Sequence, residues 1–302
     1  MRDDHIFVMA PPRSGTKMLA RALGRCPGTY LITEHKKKSS VPEETNHRAD
    51  REFWQEAFGL HRLPLEEVEF DACAFAQLNA LWSAHAGDRR LVIKNPNNVV
   101  RAAAIRRAFP KAQFVWLLRN PWAVIQSMFG GQDAGKKTPM LLGAEEVLKH
   151  TDPLLRAAAS WTYAIEIMKQ VESPQDITTR YEDLVLKPQQ ELKRIGDHLG
   201  LTLTAGAFAI PQWRKEDFRV ARYLLRRSPK RQQTLELVGS SASKLQYPTQ
   251  PSGFPGDEWL FGLRHLLTCL QRPNKNPLYG FPRLQRMSAA VMKARARVLH
   301  RV

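Results

Sequence analysis

Cationic and hydroxyl side chains gather directly after the first apolar run of the chain. Residues 6–10 are apolar and rich in β-forming types, two prolines follow, and a helical pattern begins near residue 17. Prolines cannot continue a central strand or a helix, so they mark a turn between the two elements. Backbone N–H groups that converge at a helix start favour an anion. The sequence therefore predicts an anion-binding loop made of Arg13, Ser14, Gly15, Thr16 and Lys17.

This loop departs from the phosphate loop of ATP- and GTP-binding proteins. That pattern has a glycine five residues before its second glycine, then Lys and Ser or Thr directly after it. Here Ala10 occupies the first of these positions, Thr16 follows Gly15, and Met18 follows Lys17. Because no hydroxyl is placed for magnesium, the loop predicts an anion bound without a metal ion. A kinase with a degenerate phosphate loop is the alternative, and it predicts magnesium-dependent ATP binding.

Further charged residues lie at the ends of later apolar runs of β type. They are Glu34 after residues 29–33, Lys94 at the end of residues 90–94, and Arg119 after residues 113–118. Strand patterns that alternate with helical ones predict an α/β fold, in which a central parallel sheet is flanked by helices. Ligands of such sheets bind beyond the carboxyl ends of the strands. We therefore expect these residues and Arg13 to share one site.

The elements that must position this site follow from hydrophobic spacing, prolines and glycines. A last strand is predicted over residues 177–181. Helices are predicted over residues 17–25, 50–58, 66–85, 97–109, 121–129, 144–171 and 189–199. Pro121 suits the first turn of its helix, Pro153 marks a break within residues 144–171, and Gly200 ends the last helix.

Two of these motifs together resemble the sulfotransferases that use 3′-phosphoadenosine 5′-phosphosulfate (PAPS). In that family a Pro-Arg/Lys-Ser-Gly-Thr loop holds the 5′-phosphosulfate, and an Arg followed eight residues later by Ser holds the 3′-phosphate. Here the loop begins at Pro12-Arg13, and Ser127 lies eight residues after Arg119. The resemblance, which covers residues 5–200, implies a P-loop NTPase-like sulfotransferase fold. It also implies PAPS as cosubstrate, 3′-phosphoadenosine 5′-phosphate (PAP) as product, and no metal.

The same resemblance assigns roles to residues outside the loop. Glu34 is similar to the strand-end Glu that tyrosylprotein sulfotransferases use as base, and Lys94 is similar to the Lys of a Lys-x-Pro element that contacts the transferring group. Tyr181 opens a Tyr-Glu-Asp-Leu element and is expected near the cofactor or the acceptor. His35 is the alternative base, as in cytosolic small-molecule sulfotransferases. For Glu34, the alternative to catalysis is an exposed acid paired with Lys36 or Lys37.

Composition limits the class of protein. The 302 residues are 43% hydrophobic, which suits one large domain over residues 1–302 with a core at about 5–200 and a basic, less regular part at about 201–302. The sequence has no apolar run of about 18 residues, the length of a membrane span. The chain has three widely spaced cysteines, at positions 26, 73 and 269, and they favour a reducing compartment. We therefore expect a cytoplasmic protein.

The formal net charge of +17 exceeds what one anionic cosubstrate would balance. It favours an acidic or extended acceptor, and the basic helical pattern at residues 284–302 suits weak contact with a membrane surface or a partner. The sequence leaves the oligomeric state open.

Taken together, the residues predict a transferase that moves a sulfuryl group from PAPS to a hydroxyl by in-line displacement, with Arg13, Lys94 and the base Glu34 as catalytic residues. A peptide tyrosine, a carbohydrate or a small metabolite would each fit as acceptor. The alternatives are a nucleic-acid-binding protein that uses the basic C-terminal third, and a non-catalytic PAP-binding module.

Overall fold

The computed structural model of the protein describes residues 2–34, 50–58, 71–130, 144–203 and 219–251. The proposed alternative base His35 lies outside these residues. So does the predicted helical pattern at 284–302.

A five-stranded parallel sheet forms the centre of the fold, with the strand order β2-β3-β1-β4-β5. Its strands are β1 (Ile6–Met9), β2 (Thr29–Thr33), β3 (Arg90–Lys94), β4 (Gln113–Leu118) and β5 (Ile177–Arg180). Ile6 of the central strand β1 is in register with Val92 of β3 and with Gln113 of β4. The α/β prediction is confirmed, and the predicted bounds of β2, β3 and β4 agree with those observed.

Helices alternate with the strands along the chain. In chain order they are α1 (Thr16–Gly24), α2 (Asp50–Ala57), α3 (Ala72–Ala86), α4 (Ala102–Ala108), α5 (Pro121–Gly130), α6 (Glu145–Leu148), α7 (Pro153–Val171), α8 (Tyr181–Leu186), α9 (Pro188–Leu199), α10 (Arg219–Arg227) and α11 (Arg231–Lys244). Every residue of β1 and β3 is buried, as expected for parallel strands covered by helices on both faces. The hydrophobic core includes Val8, Leu19, Val92, Val115, Leu184 and Ile195.

The described elements fall into two compact units. The first contains the sheet, helices α1 to α4, α8 and α9, and the C-terminal part of α7. The second contains α5, α6, the N-terminal part of α7, α10 and α11. Within the second unit, Trp122 Nε1 donates to the carbonyl of Pro248 at 2.9 Å, and Thr162 Oγ1 donates to the carbonyl of Leu237 at 3.2 Å. Within the described ranges, no helix combines the length and apolar character that a membrane crossing needs.

Proline and capping residues decide three boundaries. The predicted break at Pro153 is confirmed, because α6 ends at Leu148 and α7 begins at Pro153, where Asp152 Oδ1 accepts from the N–H groups of Leu154 and Leu155 at 2.9 Å. The prediction of one helix over residues 97–109 is wrong at its start: a 3₁₀ turn, Pro96–Asn98, precedes α4. Tyr181, predicted as the last residue of β5, instead begins α8.

Candidate active site

The loop between β1 and α1 has two residues in the left-handed region, Arg13 with φ 71° and Gly15 with φ 97°. A non-glycine residue rarely adopts a positive φ, and such backbone strain is typical of functional sites. Ser14, between them, is fully buried, whereas the side chain of Arg13 is exposed. Gly15 is the N-cap of α1 and has no side-chain cap, and its carbonyl accepts from the N–H of Met18 at 3.0 Å.

Two features of this loop suit an oxyanion. The buried hydroxyl of Ser14 has no hydrogen-bond partner within the described residues, and such a group costs free energy unless a ligand or water satisfies it. Lys17, on the first turn of α1, is exposed. The helix start, the hydroxyl and the two cations Arg13 and Lys17 can therefore bind phosphate oxygens.

Arg119 and Tyr181 lie against the loop. Arg119 Nη1 donates to the carbonyl of Arg13 at 3.0 Å, and the guanidinium carbon lies 4.3 Å from the centre of the Tyr181 ring. A Cβ atom placed on Gly15 would lie 2.6 Å from Cδ2 of Tyr181, so the ring packs closely against the glycine. The structure thus brings Arg13, Gly15, Arg119 and Tyr181 together, from the ends of β1, β4 and β5.

Glu34 and Lys94 form an ion pair at the ends of the neighbouring strands β2 and β3. Lys94 Nζ lies 2.6 Å from Glu34 Oε1, and the two side chains are 3% and 9% exposed. The pairing follows from strand register, because Thr33 lies opposite Lys94. The Glu34 side chain is therefore not exposed, as the alternative from sequence supposed; Lys36 and Lys37 lie outside the described residues.

Electrostatics link this pair to the loop. Burial lowers the pKa of Lys94, Glu34 raises it, and the charges of Lys17 and Arg13 lower it further. These two cations therefore act on the ammonium group of Lys94. The second carboxylate oxygen, Glu34 Oε2, is buried and has no hydrogen-bond partner in the described part of the chain.

A buried polar group next to the pair was not predicted from the sequence. Asn95 Nδ2 donates to Asp50 Oδ2 at 2.8 Å, and Asn95 Oδ1 accepts from the N–H of Asn97 at 3.0 Å. Burial raises the pKa of Asp50 to about 6. The guanidinium of Arg101 lies 4.5 Å from the centre of the Trp54 ring, and burial lowers the pKa of Arg101 to about 10. A polar Asp at a helix start carries no sequence signal for a buried partner 45 residues away.

Ser127, the remaining residue predicted at the site, lies in α5 and is half-buried. Ser127 belongs to the second unit, whereas Arg119 belongs to the first unit. Its place in the predicted 3′-phosphate motif therefore rests on the spacing of the two residues along the chain.

Together, the fold and the site define an α/β protein with a cationic strand-to-helix loop beside a buried Glu34–Lys94 ion pair at the carboxyl ends of its parallel strands. The profile of the sulfotransferase family matches residues 5–205, which is more than half of the chain. The chain belongs to the sulfotransferase family.

Individual relatives are distant. Omega-hydroxy-beta-dihydromenaquinone-9 sulfotransferase Stf3 of Mycobacterium tuberculosis is 27% identical over 118 residues, which are 37% of this chain and 29% of the relative. Protein-tyrosine sulfotransferase 2 of Gallus gallus is 24% identical over 207 residues, which are 65% of this chain and 51% of the relative. The matches thus span from under a third to about half of these curated relatives.

A solved structure with the same fold is the sulfotransferase domain from the curacin biosynthetic pathway. It superposes with a TM-score of 0.51 at 18% identity and covers 81% of this chain and 98% of that domain. At this identity the match confirms the predicted sulfotransferase fold.

Proposed function

We propose that the protein transfers the sulfuryl group of PAPS to a hydroxyl of an acceptor. One observation carries the proposal: Glu34 is paired with Lys94 through one oxygen, and its other oxygen has no hydrogen-bond partner among the described residues, beside a cationic anion-binding loop. The loop would hold a phosphosulfate, and the second oxygen would take the proton of an attacking hydroxyl. A protein that only bound the nucleotide would not need a proton acceptor at the place of Glu34.

Residues of this chain are proposed for both phosphate ends of PAPS. Ser14, Gly15, Thr16 and Lys17 would bind the 5′-phosphosulfate through N–H groups, hydroxyls and the ammonium group. Arg119, which donates to the carbonyl of Arg13, would bind the 3′-phosphate, because a guanidinium can bind two phosphate oxygens at once. Ser127 is added to this proposal on its spacing of eight residues from Arg119 along the chain. Tyr181, stacked on Arg119, would hold that guanidinium in place. PAPS supplies the activated sulfuryl group and a phosphate leaving group.

In this proposal the protein contributes position and charge rather than covalent chemistry, as in phosphoryl transfer. Glu34 accepts the hydroxyl proton on Oε2. Lys94, kept close by its ion pair with Glu34, and Arg13, exposed in the loop, stabilise negative charge on the transferring group and on the leaving oxygen. His35 remains the alternative base.

Hydroxyl-bearing acceptors agree with the relatives, one named for protein tyrosine and one for an omega-hydroxylated menaquinone. The net charge of +17 supports an acidic or extended acceptor. We also propose that residues 1–302 form one sulfotransferase domain whose basic C-terminal part contacts a partner or a membrane surface weakly. Cys26 and Cys73 are free thiols, which supports a cytoplasmic location.

Calorimetric titration with PAP, with ATP plus magnesium as the control, tests the cosubstrate. We expect micromolar PAP binding that Arg119→Ala weakens strongly, and no comparable binding of ATP. PAP binding is then followed by an acceptor screen with labelled PAPS over tyrosine peptides, carbohydrates and hydroxylated metabolites. Absence of PAP binding would overturn the proposal, and PAP binding without turnover on any acceptor would recast the protein as a PAP-binding module.

A further inference from the structure

A buried polar pair, Asp50 and Asn95, adjoins the Glu34–Lys94 pair, because Asn95 is the next residue after Lys94. Asp50 is the first residue of α2 and is 0% exposed, and Asn95 follows Lys94 and is 3% exposed. Their hydrogen bond, Asn95 Nδ2 to Asp50 Oδ2, measures 2.8 Å. Neither residue belongs to the anion-binding loop or to the ion pair.

The two ends of the Asn95 side chain have different tasks. Its amide nitrogen donates to Asp50, and its oxygen accepts from the N–H of Asn97 at 3.0 Å. The second contact caps the turn Pro96–Asn98. Because both ends are engaged, the amide has one orientation, and the backbone at the carboxyl end of β3 is fixed between α2 and the turn.

We propose that Asp50 is a positioning residue: through Asn95 it holds the end of β3 so that the ammonium group of Lys94 meets Glu34. For its effect on catalysis the inference rests on the proposed function. Lys94 is the residue next to Asn95, so a shift of the Asn95 backbone moves the origin of the Lys94 side chain. Loss of the Asp50–Asn95 hydrogen bond would therefore misplace Lys94 and also Glu34, whose carboxylate accepts the hydrogen bond from Lys94.

The charges around Asp50 agree with such a role. Arg101, 1% exposed, favours the ionised carboxylate, and Glu34 disfavours it. Two further carboxylates, Glu52 and Glu56, lie on the same helix as Asp50, α2. On the neighbouring helix α3, His85 packs against Phe53 of α2, with 5.1 Å between the ring centres. A buried charged group adds little net stability compared with an apolar side chain of similar size. We therefore attribute the buried Asp50 to the single arrangement of the site that it fixes.

A swap of the pair tests the inference. Asn95→Asp places a second carboxylate against Asp50 and removes the donor, while one carboxylate oxygen can still cap the turn. The double variant Asp50→Asn with Asn95→Asp exchanges donor and acceptor and restores the hydrogen bond. Asn97→Ala, in the same turn, keeps its backbone N–H and serves as the matched control.

We expect Asn95→Asp to lower kcat by about tenfold or more, the usual effect of losing an outer-shell partner. PAP affinity should stay within about twofold of wild type, because the loop that binds the 5′-phosphate is not altered. The swap variant should recover kcat to within about threefold, and Asn97→Ala should match wild type. An equal loss of kcat and of PAP affinity, or a swap variant as poor as Asn95→Asp, would overturn the inference.

A second readout does not need turnover. Lys94 is 3% exposed, whereas the side chain of Lys111 is 73% exposed, so reductive methylation followed by mass spectrometry should modify Lys111 quickly and Lys94 slowly. We expect Asn95→Asp to raise the methylation rate of Lys94 relative to Lys111, and the swap to restore protection. Unchanged protection in folded Asn95→Asp would contradict the inference.

The outcomes remain separable if one variant fails to fold or if the wild type has no activity. Should Asn95→Asp not fold, the swap variant and Asp50→Asn, which keeps an oxygen facing Asn95 Nδ2, must both protect Lys94; loss of protection in either overturns the inference. A wild-type protein that turns over no acceptor contradicts the proposed function alone, because the methylation pattern still decides whether Asp50 positions Lys94.

Discussion

Lys94 Nζ and Glu34 Oε1 lie 2.6 Å apart, although 60 residues separate them along the chain. The pair joins adjacent parallel strands at their carboxyl ends, the edge at which such sheets bind ligands. The Glu34 carboxylate raises the pKa of Lys94 and so opposes the effect of burial on that ammonium group. The same contact leaves the buried Glu34 Oε2 without a hydrogen-bond partner among the described residues.

Replacing Glu34 with Gln should separate chemistry from binding. The amide keeps the size of the side chain but cannot accept a proton, so we expect turnover with PAPS to fall by about 10²- to 10⁴-fold. PAP affinity should change little, because Glu34 lies outside the anion-binding loop. Steady-state kinetics and PAP titration measure the two effects.

The exposed Glu166 on α7 offers a matched control, and Glu166→Gln should behave as wild type. If Glu34→Gln lost PAP affinity as much as turnover, Glu34 would be a structural residue rather than the base.

A methyl group on Gly15 should disable the loop for two separate reasons. The φ of 97° is strained for any other residue, and the added Cβ would lie 2.6 Å from the ring of Tyr181. We expect Gly15→Ala to abolish measurable PAP binding, which calorimetry can follow.

The variant Gly28→Ala separates the effect of backbone strain from that of a steric clash. It also has a positive φ, 77°, but a Cβ there meets nothing within 4 Å. Gly28→Ala should therefore cost about 1 kcal/mol of stability and leave PAP affinity intact. PAP binding by Gly15→Ala at wild-type affinity would show that the loop and the ring can move apart freely.

Much of this site could be predicted from the sequence because its parts are local. A buried parallel strand reads as a continuous apolar run, so the ends of β2, β3 and β4 and the residues that follow them could be placed. The loop residues were recognisable because prolines, a glycine and cations follow one another directly. Because β2 and β3 are neighbours in the sheet, the residues at their ends, Glu34 and Lys94, lie together, and no other sequence pattern is needed to explain this.

What could not be predicted depends on contacts between distant segments. Asp50 reads as an ordinary polar residue at a helix start, and its pairing with Asn95 exists only after α2 packs beside β3. Tyr181 has a strand-forming side chain, yet it begins α8. The residues after Pro96 have a helical pattern, but the Asn95 side chain caps a short 3₁₀ turn, Pro96–Asn98, and α4 begins only after it.

The stack of Arg119 on Tyr181 should contribute to PAP affinity through the ring rather than through the hydroxyl. Tyr181→Phe keeps the aromatic face 4.3 Å from the guanidinium, so we expect PAP affinity within about twofold of wild type. Tyr181→Leu removes the face and should weaken PAP binding by about three- to tenfold, since a cation–π contact contributes about 0.5–1 kcal/mol at exposed sites and more when it is desolvated. An equal loss in the Phe and the Leu variants would assign the role to the hydroxyl, which both of them lack.

The buried carboxyl of Asp50 should make stability depend on pH in a direction that can be measured. Its pKa rises from 3.8 to about 6 on burial, so between these values the folded protein binds a proton that the unfolded chain releases. The contribution of Asp50 to the free energy of unfolding therefore falls as pH rises from about 4 to 6, and is constant outside this window. Asp50→Asn lacks this titration.

We thus expect the stability of Asp50→Asn relative to wild type to increase by about 2 kcal/mol between pH 4 and pH 7, since one pKa unit corresponds to about 1.4 kcal/mol. Urea unfolding of both proteins across this range measures the difference, and Asp197→Asn, a side chain that is 64% exposed, is the reference carboxyl. The opposite trend would mean that the hydrogen bond from Asn95 and the charge of Arg101 together stabilise ionised Asp50 more strongly than burial penalises it.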